Sequence, residues 1–167
     1  MEFYSVQVKT DIQKSSYESL DLTDEQFSLM SSQAAEMAHK SYAPYSKFHV
    51  GAVALLESGE MISGSNQENA AYPSGICAER TTVFYTNAHY PNTAITHLLI
   101  YAETEEGGVV TSPITPCAAC RQVLIEKEAI QGSPIKLILV GRDSVFVVPS
   151  AMDLVPLSFV PDSLKGE

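Results

Sequence analysis

The chain has 167 residues, of which 45% are hydrophobic and 18% are charged, as is usual for a soluble single-domain protein with a substantial core. Asp and Glu number 20 against 10 Lys and Arg, which gives a formal net charge of −10 at pH 7. Because such a surface repels a phosphate backbone, we expect no nucleic-acid substrate or partner. No apolar run approaches the length of a membrane span, so we expect no membrane partner either.

The N-terminus and the cysteine content indicate the compartment. Met1–Tyr4 lacks the basic and apolar regions of a secretory signal. Three cysteines, an odd number, do not suggest a disulfide framework, and thiolate ligands need a reducing environment. The expectation is therefore a cytoplasmic protein.

Residues 1–20 are the least informative part of the chain, and we interpret residues 1–22 as an N-terminal extension of uncertain structure. Apolar and polar residues alternate here as in a short edge strand, but the mixed polarity fits an extended arm equally well. The alternating apolar residues are Tyr4, Val6, Val8 and Ile12. Residues 23–167 show no repeat, linker or low-complexity segment, so one domain is expected.

The first elements of that domain have clear sequence signals. Thr23 and Gln26 form a capping-box pattern, and apolar residues at helical spacing follow until Ala43-Pro44, which predicts a helix. Residues 50–56 are apolar throughout, as in a strand buried on both faces. A Ser58-Gly59 turn then leads into residues 61–66, which predicts a hairpin.

The remaining elements alternate between helix and strand. Helices are predicted over residues 77–88 and 118–129, and strands over residues 98–102, 135–140 and 145–148. Strands separated by helices, with a hairpin at the start, indicate an α/β fold with a mixed five-stranded sheet.

Three cysteines and a carboxylate form the most informative pattern. Cys77 precedes Glu79 by two residues, and a Cys117-x-x-Cys120 pair follows further along the chain. Zinc with three protein ligands keeps one position open for water, which distinguishes a catalytic from a structural site. Solvent is the expected fourth ligand, because none of the four histidines has short ligand spacing from a cysteine; they are His39, His49, His89 and His97.

The residues beside these cysteines suit acid/base chemistry. Glu79 falls in the first turn of the helix that begins at Cys77, so its carboxylate can carry protons while zinc activates water. Arg80 and the helix N-termini can compensate the negative charge of three thiolates. Taken alone, the cysteines are also consistent with buried apolar residues, a redox pair or a structural zinc site.

Four blocks of the sequence together resemble the cytidine deaminase family. They are Ala43–Ala52, Asn66–Tyr72, Cys77–Thr81 and Pro116–Gln122, and the likeness covers roughly residues 41–160. Cys-x-Glu followed by Pro-Cys-x-x-Cys is the signature of zinc-dependent nucleoside and nucleobase deaminases. One departure is Ala118, where the family usually has glycine, and a helical backbone tolerates the added methyl group.

The resemblance implies a three-layer α/β/α cytidine deaminase-like fold with residues 23–167 as a single catalytic domain. It also implies one Zn²⁺ per chain, bound by Cys77, Cys117 and Cys120, with Glu79 as the proton carrier. The implied reaction is the hydrolytic deamination of cytidine and 2′-deoxycytidine, which belongs to pyrimidine salvage. A nucleoside is then the substrate.

The resemblance further implies contacts with that substrate. The N–H of Ala78 and the carbonyl of Thr115 would bind the exocyclic groups of the ring, and Phe48 would contact the sugar or base. Asn66 and Glu68 would bind the ribose 3′-hydroxyl, although the end of a solvated strand offers a plainer reading for both. Simple core packing is the corresponding alternative for Phe48.

The C-terminal segment resembles a family element that completes a neighbouring active site. In residues 153–159, Phe159 corresponds to a phenylalanine that stacks on the pyrimidine in another subunit, which implies a homotetramer with shared sites. Packing of this segment on its own core is the alternative. Three other functions stay open: a small-molecule deaminase of the blasticidin S type, a non-enzymatic zinc module, and a nucleic-acid editing deaminase. The acidic composition and a cysteine as the first ligand disfavour the last of these.

Overall fold

A computed structural model describes residues 16–165. The edge strand or arm considered for residues 4–12 therefore lies outside the described residues. The helices are α1 (Asp24–His39), α2 (Ala78–His89) and α3 (Ala118–Gln131). The strands are β1 (Phe48–Leu56), β2 (Met61–Ser65), β3 (Ile95–Thr104), β4 (Lys136–Val140) and β5 (Val145–Val148).

The five strands form one mixed sheet in the order β2-β1-β3-β4-β5. β1 pairs antiparallel with both β2 and β3, β3 and β4 are parallel, and β4 pairs antiparallel with β5. The mixed α/β sheet is confirmed. β3 is longer than the predicted residues 98–102. Its two ends also pair with β1, as far as Ile95 and Thr104, and their side chains are not all buried, so the apolar run does not include them.

Helices cover both faces of the sheet, which confirms the three-layer arrangement. On one face, α1 buries Met30 and Ala34 against a smaller cluster that includes Leu99 and Ile138. On the other face, α2 and α3 pack Val83 and Leu124 into the larger cluster. Strand residues that alternate between these two clusters explain why the central strands are apolar throughout.

Local signals position α1 closely. Thr23 Oγ1 accepts a hydrogen bond from the Gln26 N–H at 3.1 Å, and the Gln26 side chain accepts from the Thr23 N–H at 3.0 Å, so the predicted capping box is present. A Cβ atom on Gly51 would lie 1.9 Å from the carbonyl oxygen of Ala34. The backbones of α1 and β1 can therefore approach this closely because residue 51 has no side chain.

The residues before α1 also join the core. A short 3-10 helix spans Tyr17–Leu20, and Leu20 is buried in the smaller cluster. The carbonyl of Leu20 lies 3.1 Å from Nε2 of His97, and Lys136 pairs with Asp21 at 3.4 Å. Within residues 16–165, the structure contains no helix of the length and apolarity that crossing a membrane would require.

Candidate functional site

Two helix N-termini bring the three cysteines together. Cys77 and Cys117 are the N-cap residues of α2 and α3, and both have extended backbone conformations. The Sγ atoms of Cys77 and Cys117 are 3.8 Å apart, and those of Cys117 and Cys120 are 3.5 Å apart. All three sulfur atoms lie within 4.8 Å of one another, because α2 and α3 lie side by side on one face of the sheet.

This spacing fits a zinc ion. Zinc–sulfur bonds of about 2.3 Å in a tetrahedral shell place neighbouring sulfur atoms roughly 3.8 Å apart. No histidine, aspartate or glutamate from residues 16–165 joins the three thiols in this group. The side chains present thus offer three ligands, and a fourth position is left for a non-protein ligand.

The ionisation of the thiols is strongly coupled. The pKa of Cys77 is lowered to about 5, chiefly because Cys120 hydrogen-bonds to its thiolate, with further stabilisation from Arg80. The pKa of Cys120 is raised, first by its hydrogen bond to Cys77 and then by burial. The first thiol therefore ionises readily, whereas the negative charge of its thiolate opposes ionisation of a second thiol beside it. A bound divalent cation would offset this repulsion and favour ionisation of both thiols.

Glu79 lies in the first turn of α2 and is only 5% exposed. Burial raises the pKa of its carboxyl group, and the negative charge of Cys77 raises it further. A carboxyl with a raised pKa holds and releases a proton closer to neutral pH than an exposed glutamate does. The environment of Glu79 therefore suits proton transfer.

Arg80 lies one residue further along α2, with its guanidinium beside the Sγ of Cys77. Its Nη2 is 3.8 Å from the Sγ of Cys77, and this contact is the main cause of its raised pKa. Its Nε is buried and has no hydrogen-bond partner among the described residues. The guanidinium can thus compensate thiolate charge and still offers a buried N–H donor at the site.

A pocket of about 500 Å³ opens beside Cys77 and Arg80. This volume is in the range of small-molecule sites. Loop residues before β1, residues after β2 and the start of α2 line the pocket. They are Tyr45, Ser46, Asn66, Gln67, Glu68, Asn69, Tyr72, Gly75, Ile76, Cys77 and Arg80.

Both candidate ribose ligands line this pocket, and both also bind the backbone. Glu68 Oε2 accepts hydrogen bonds from the N–H groups of Tyr45 at 2.8 Å and Ser46 at 3.2 Å. The Asn66 amide accepts from the Val50 N–H at 2.8 Å and donates to the Phe48 carbonyl at 3.0 Å. Asn66 and Glu68 therefore hold the backbone of the pocket wall in place, and they also line the pocket themselves.

Of the other predicted contact residues, Ala78 and Thr115 are close to the cysteines in the chain, and Phe48 and Phe159 lie in separate segments. Ala78 is fully buried at the first position of α2, where a backbone N–H has no acceptor within its own helix. Thr115 lies in the loop before Cys117. Phe48 is half-buried against the larger core cluster. Phe159 is 56% exposed, and its carbonyl accepts from Nε2 of Gln122 at 2.9 Å, which places the C-terminal segment beside α3.

Two aromatic residues of the pocket were not singled out from the sequence. Tyr45 and Tyr72 form an edge-to-face pair with ring centroids 5.9 Å apart. Both fall inside blocks that carry the family resemblance, but they come from separate loops. Their proximity depends on the pairing of those loops, so spacing in the sequence does not reveal it.

Comparison with known proteins identifies the family. The family model described as "cytidine and deoxycytidylate deaminase zinc-binding region" matches residues 24–132. A cytidine deaminase of Halalkalibacterium halodurans is 40% identical over 96 residues, which are 56% of this chain and 66% of that protein. The chain thus spans just under two thirds of that relative.

Two further matches cover nearly whole proteins. A Mycobacterium tuberculosis cytidine deaminase is 32% identical over 149 residues, which are 87% of this chain and 98% of that protein. The crystal structure of cytidine deaminase from Burkholderia pseudomallei superposes with a TM-score of 0.68 at 34% identity, covering 83% of this chain and all of that one. With the thiol cluster and its buried glutamate, these matches establish that the chain belongs to the cytidine and deoxycytidylate deaminase family.

Proposed function

We propose that the chain is a zinc-dependent cytidine deaminase, which converts cytidine or 2′-deoxycytidine and water into the corresponding uracil nucleoside and ammonia. The observation that carries this proposal is the cluster of three thiols beside the buried carboxyl of Glu79. The family match supports the same reaction class.

Cys77, Cys117 and Cys120 would hold the zinc ion. When bound, the ion supplies the Lewis acidity that makes water a nucleophile at neutral pH. Arg80 stabilises the thiolate of Cys77, and the N-termini of α2 and α3 add positive potential at Cys77 and Cys117. The chain's own groups therefore offset the excess negative charge of three sulfur ligands.

Glu79 is the proton carrier in this proposal. It takes a proton from the attacking water and delivers it to N3 of the ring as the C4–O bond forms. It then takes the remaining proton from the hydroxyl group now on C4 and passes it to the amino group, which leaves as ammonia as the C4–N bond breaks and the C4=O bond forms. The raised pKa of Glu79 supports this role, because the same carboxyl must both accept and donate near neutral pH.

The pocket supports a nucleoside as the substrate. Its volume of about 500 Å³ and its open link to Cys77 allow a ribose to lie against Asn66 and Glu68 while the base reaches the thiols. The backbone N–H of Ala78 and the carbonyl of Thr115 would bind the exocyclic groups of the ring. Phe48 would contribute an apolar contact near the sugar or base.

The proposal includes a homotetramer with shared sites. Phe159 is 56% exposed in the single chain, and Leu157 nearby is 81% exposed. Contact with a second copy would bury these apolar side chains, and the aromatic ring would then stack on the pyrimidine. A cytoplasmic role in pyrimidine salvage belongs to the same proposal, because the thiolates need a reducing compartment.

Ultraviolet absorbance tests the reaction directly. With the zinc-loaded protein, the absorbance of cytidine should fall towards that of uridine. The reaction should stop when a chelator removes the metal and should resume when zinc is restored. Cys117→Ala should remain inactive when zinc is added, because one ligand is missing. An inactive zinc-loaded protein would refute the proposal, and turnover of blasticidin S without turnover of cytidine would indicate the related small-molecule deaminase instead.

A further inference from the structure

Arg121 makes an unusual set of contacts in the first turn of α3. It is half-buried, and its guanidinium donates hydrogen bonds to two separate parts of the chain. Nε donates to the Pro116 carbonyl at 2.8 Å, and Nη2 donates to the Thr115 hydroxyl at 3.0 Å. Nη1 donates to the Leu154 carbonyl at 3.2 Å, in the C-terminal region.

The main chain of Arg121 adds a further contact. Its N–H donates to the Cys117 carbonyl at 2.9 Å. Arg121 therefore binds the carbonyl groups on both sides of Cys117, that of Pro116 and that of Cys117 itself. The Pro116 carbonyl is held by the side chain of Arg121, whereas the Cys117 carbonyl accepts the usual backbone bond of α3. Because the peptide planes on both sides of Cys117 set the direction of its Cα–Cβ bond, the Arg121 guanidinium helps to hold that bond in place.

The equivalent position at Cys77 is held differently. The Ile76 carbonyl accepts a hydrogen bond from the backbone N–H of Gln67 at 2.9 Å. The Cys77 carbonyl accepts from Thr81, through its N–H at 3.0 Å and its hydroxyl at 3.2 Å. A backbone pair thus holds the carbonyl before Cys77, whereas a charged side chain holds the carbonyl before Cys117.

The Nη1 bond to Leu154 joins this loop to another segment, residues 150–160. Two other side chains of α3 bind the same segment. Gln122 donates to the Phe159 carbonyl at 2.9 Å, and Glu128 accepts from the N–H groups of Ala151 at 2.8 Å and Met152 at 3.1 Å. The segment is therefore held along the helix, and Arg121 is where it meets the loop that precedes Cys117.

We infer that Arg121 is a positioning residue for the proposed deamination, which orients Cys117 and Thr115 by holding the loop between them. The inference rests on the proposed function, in which Cys117 binds zinc and the Thr115 carbonyl contacts the ring. Groups that orient a metal ligand are important because their loss typically lowers metal affinity or activity by about 10–100-fold.

A lysine cannot replace Arg121 in this arrangement. The planar guanidinium presents its donors in a fixed fork that reaches Thr115, Pro116 and Leu154 together, whereas an ammonium group is a single point of charge. Arg121→Lys therefore keeps the positive charge but cannot form the three hydrogen bonds together. This substitution separates an electrostatic role from a positioning role.

The experiment compares Arg121→Lys and Arg121→Ala with the matched control Arg142→Ala. Arg142 is also an arginine that binds a threonine hydroxyl, Thr111 at 2.9 Å, but it is exposed at the turn after β4. Zinc-loaded proteins are mixed with a chromogenic chelator, and the rate of zinc release is recorded. Both Arg121 variants should release zinc about tenfold faster than wild type or more, and Arg142→Ala should match wild type.

Kinetics with cytidine provide the second measurement. With the zinc content of each sample measured, the Arg121 variants should show a higher KM as well as a lower kcat, because Thr115 is released together with Cys117. A loss of folded protein alone would lower the apparent kcat but would leave KM and the release rate of the remaining zinc unchanged.

Wild-type zinc retention and KM in Arg121→Lys would overturn the inference, since charge alone would then suffice. If Arg121→Ala does not fold, Arg121→Lys decides the question by itself. The two proposals fail separately. A zinc-loaded wild type that does not deaminate cytidine refutes the proposed function, whereas the chelator measurement still judges how Arg121 holds Cys117.

Discussion

The Sγ atoms of Cys77 and Cys117 lie 3.8 Å apart, although the two residues are 40 positions apart in the chain. Each is the N-cap of its helix, and neither side chain accepts a capping hydrogen bond from its own helix. Serine, threonine, aspartate and asparagine are the usual residues at this position because they cap the helix. The thiols are thus available to a shared ligand, and local helix stability is lower than a capping residue would provide.

Replacement of Glu79 should separate zinc binding from turnover. We expect Glu79→Gln to keep its zinc and its fold, because it removes no ligand, and to lower kcat by about 10²–10⁴-fold through loss of the proton carrier. Metal analysis and steady-state kinetics check both parts. Glu106→Gln, a matched charge loss in an exposed turn, is the control. Retention of more than about a tenth of the activity would exclude Glu79 from the proton transfers.

The ribose contact can be tested with two substrates. The two backbone donors of Glu68 use Oε2, so its other oxygen can accept a hydrogen bond from a sugar hydroxyl. Because hydrogen bonds to charged groups contribute about 1.5–3 kcal/mol, Glu68→Gln should raise KM for cytidine about 10–100-fold. Free cytosine should be a poor substrate and should respond little to the same substitution. Equal values of kcat/KM for cytosine and cytidine would contradict the assignment.

The shared site predicts a link between assembly and substrate binding. Size measurement should give a particle near four times the 18.1 kDa mass of the chain. Phe159→Ala, or truncation after Pro156, should raise KM strongly while zinc content stays unchanged. The control is Leu164→Ala, which removes a side chain that is 79% exposed in the same C-terminal region. A fully active monomer would rule out the shared site.

His97 predicts a pH dependence of stability. Burial lowers its pKa below the usual value, with a smaller contribution from Lys136, while Asp21 and the bond to the Leu20 carbonyl act in the opposite direction. The unfolded chain therefore binds a proton more readily than the folded one. The stabilising effect of neutral His97 is complete above the pKa of the unfolded state, about 6.5, and decreases as the pH falls below it.

We therefore expect the free energy of unfolding of the wild type to fall between pH 7.5 and pH 5.5 more steeply than that of His97→Asn. The difference for one proton is at most about 1.4 kcal/mol per pH unit. Urea titrations at several pH values measure it, and the exposed His89→Asn serves as the control. Parallel curves for His97→Asn and the wild type would show that the folded state does not lower the pKa of His97.

Gly51 tests the contact between α1 and the sheet. Its substitution by alanine would place a Cβ atom 1.9 Å from a backbone oxygen of α1, so the helix must shift. We expect a destabilisation of about 1–3 kcal/mol or more in chemical denaturation. The control Gly75→Ala, whose Cβ would meet its nearest neighbours at 3.4 Å, should stay within about 0.5 kcal/mol of wild type. Equal stability of the two variants would show that α1 can move away without cost.

Features that depend on local chemistry were predictable from the sequence. Short patterns predict the capping box at Thr23, the hairpin, and the two helices that begin directly after Cys77 and Cys117. The three cysteines that we propose as zinc ligands were also predicted as a set, because the Cys-x-Glu and Pro-Cys-x-x-Cys motifs together resemble the deaminase signature. Each of these motifs requires only neighbours in the chain, although the first cysteines of the two cysteine motifs are 40 positions apart.

Other features depend on which segments meet in space, and only the tertiary structure decided them. The sheet order puts β3 between β1 and β4, and no pattern within a strand specifies its partner. The backbone bonds of Glu68, the pairing of Tyr45 with Tyr72 and the three contacts of Arg121 likewise join distant segments. The sequence by itself therefore determined which groups we propose to react, whereas long-range packing decided which residues support them, because side-chain contacts between loops leave no periodic signal in the chain.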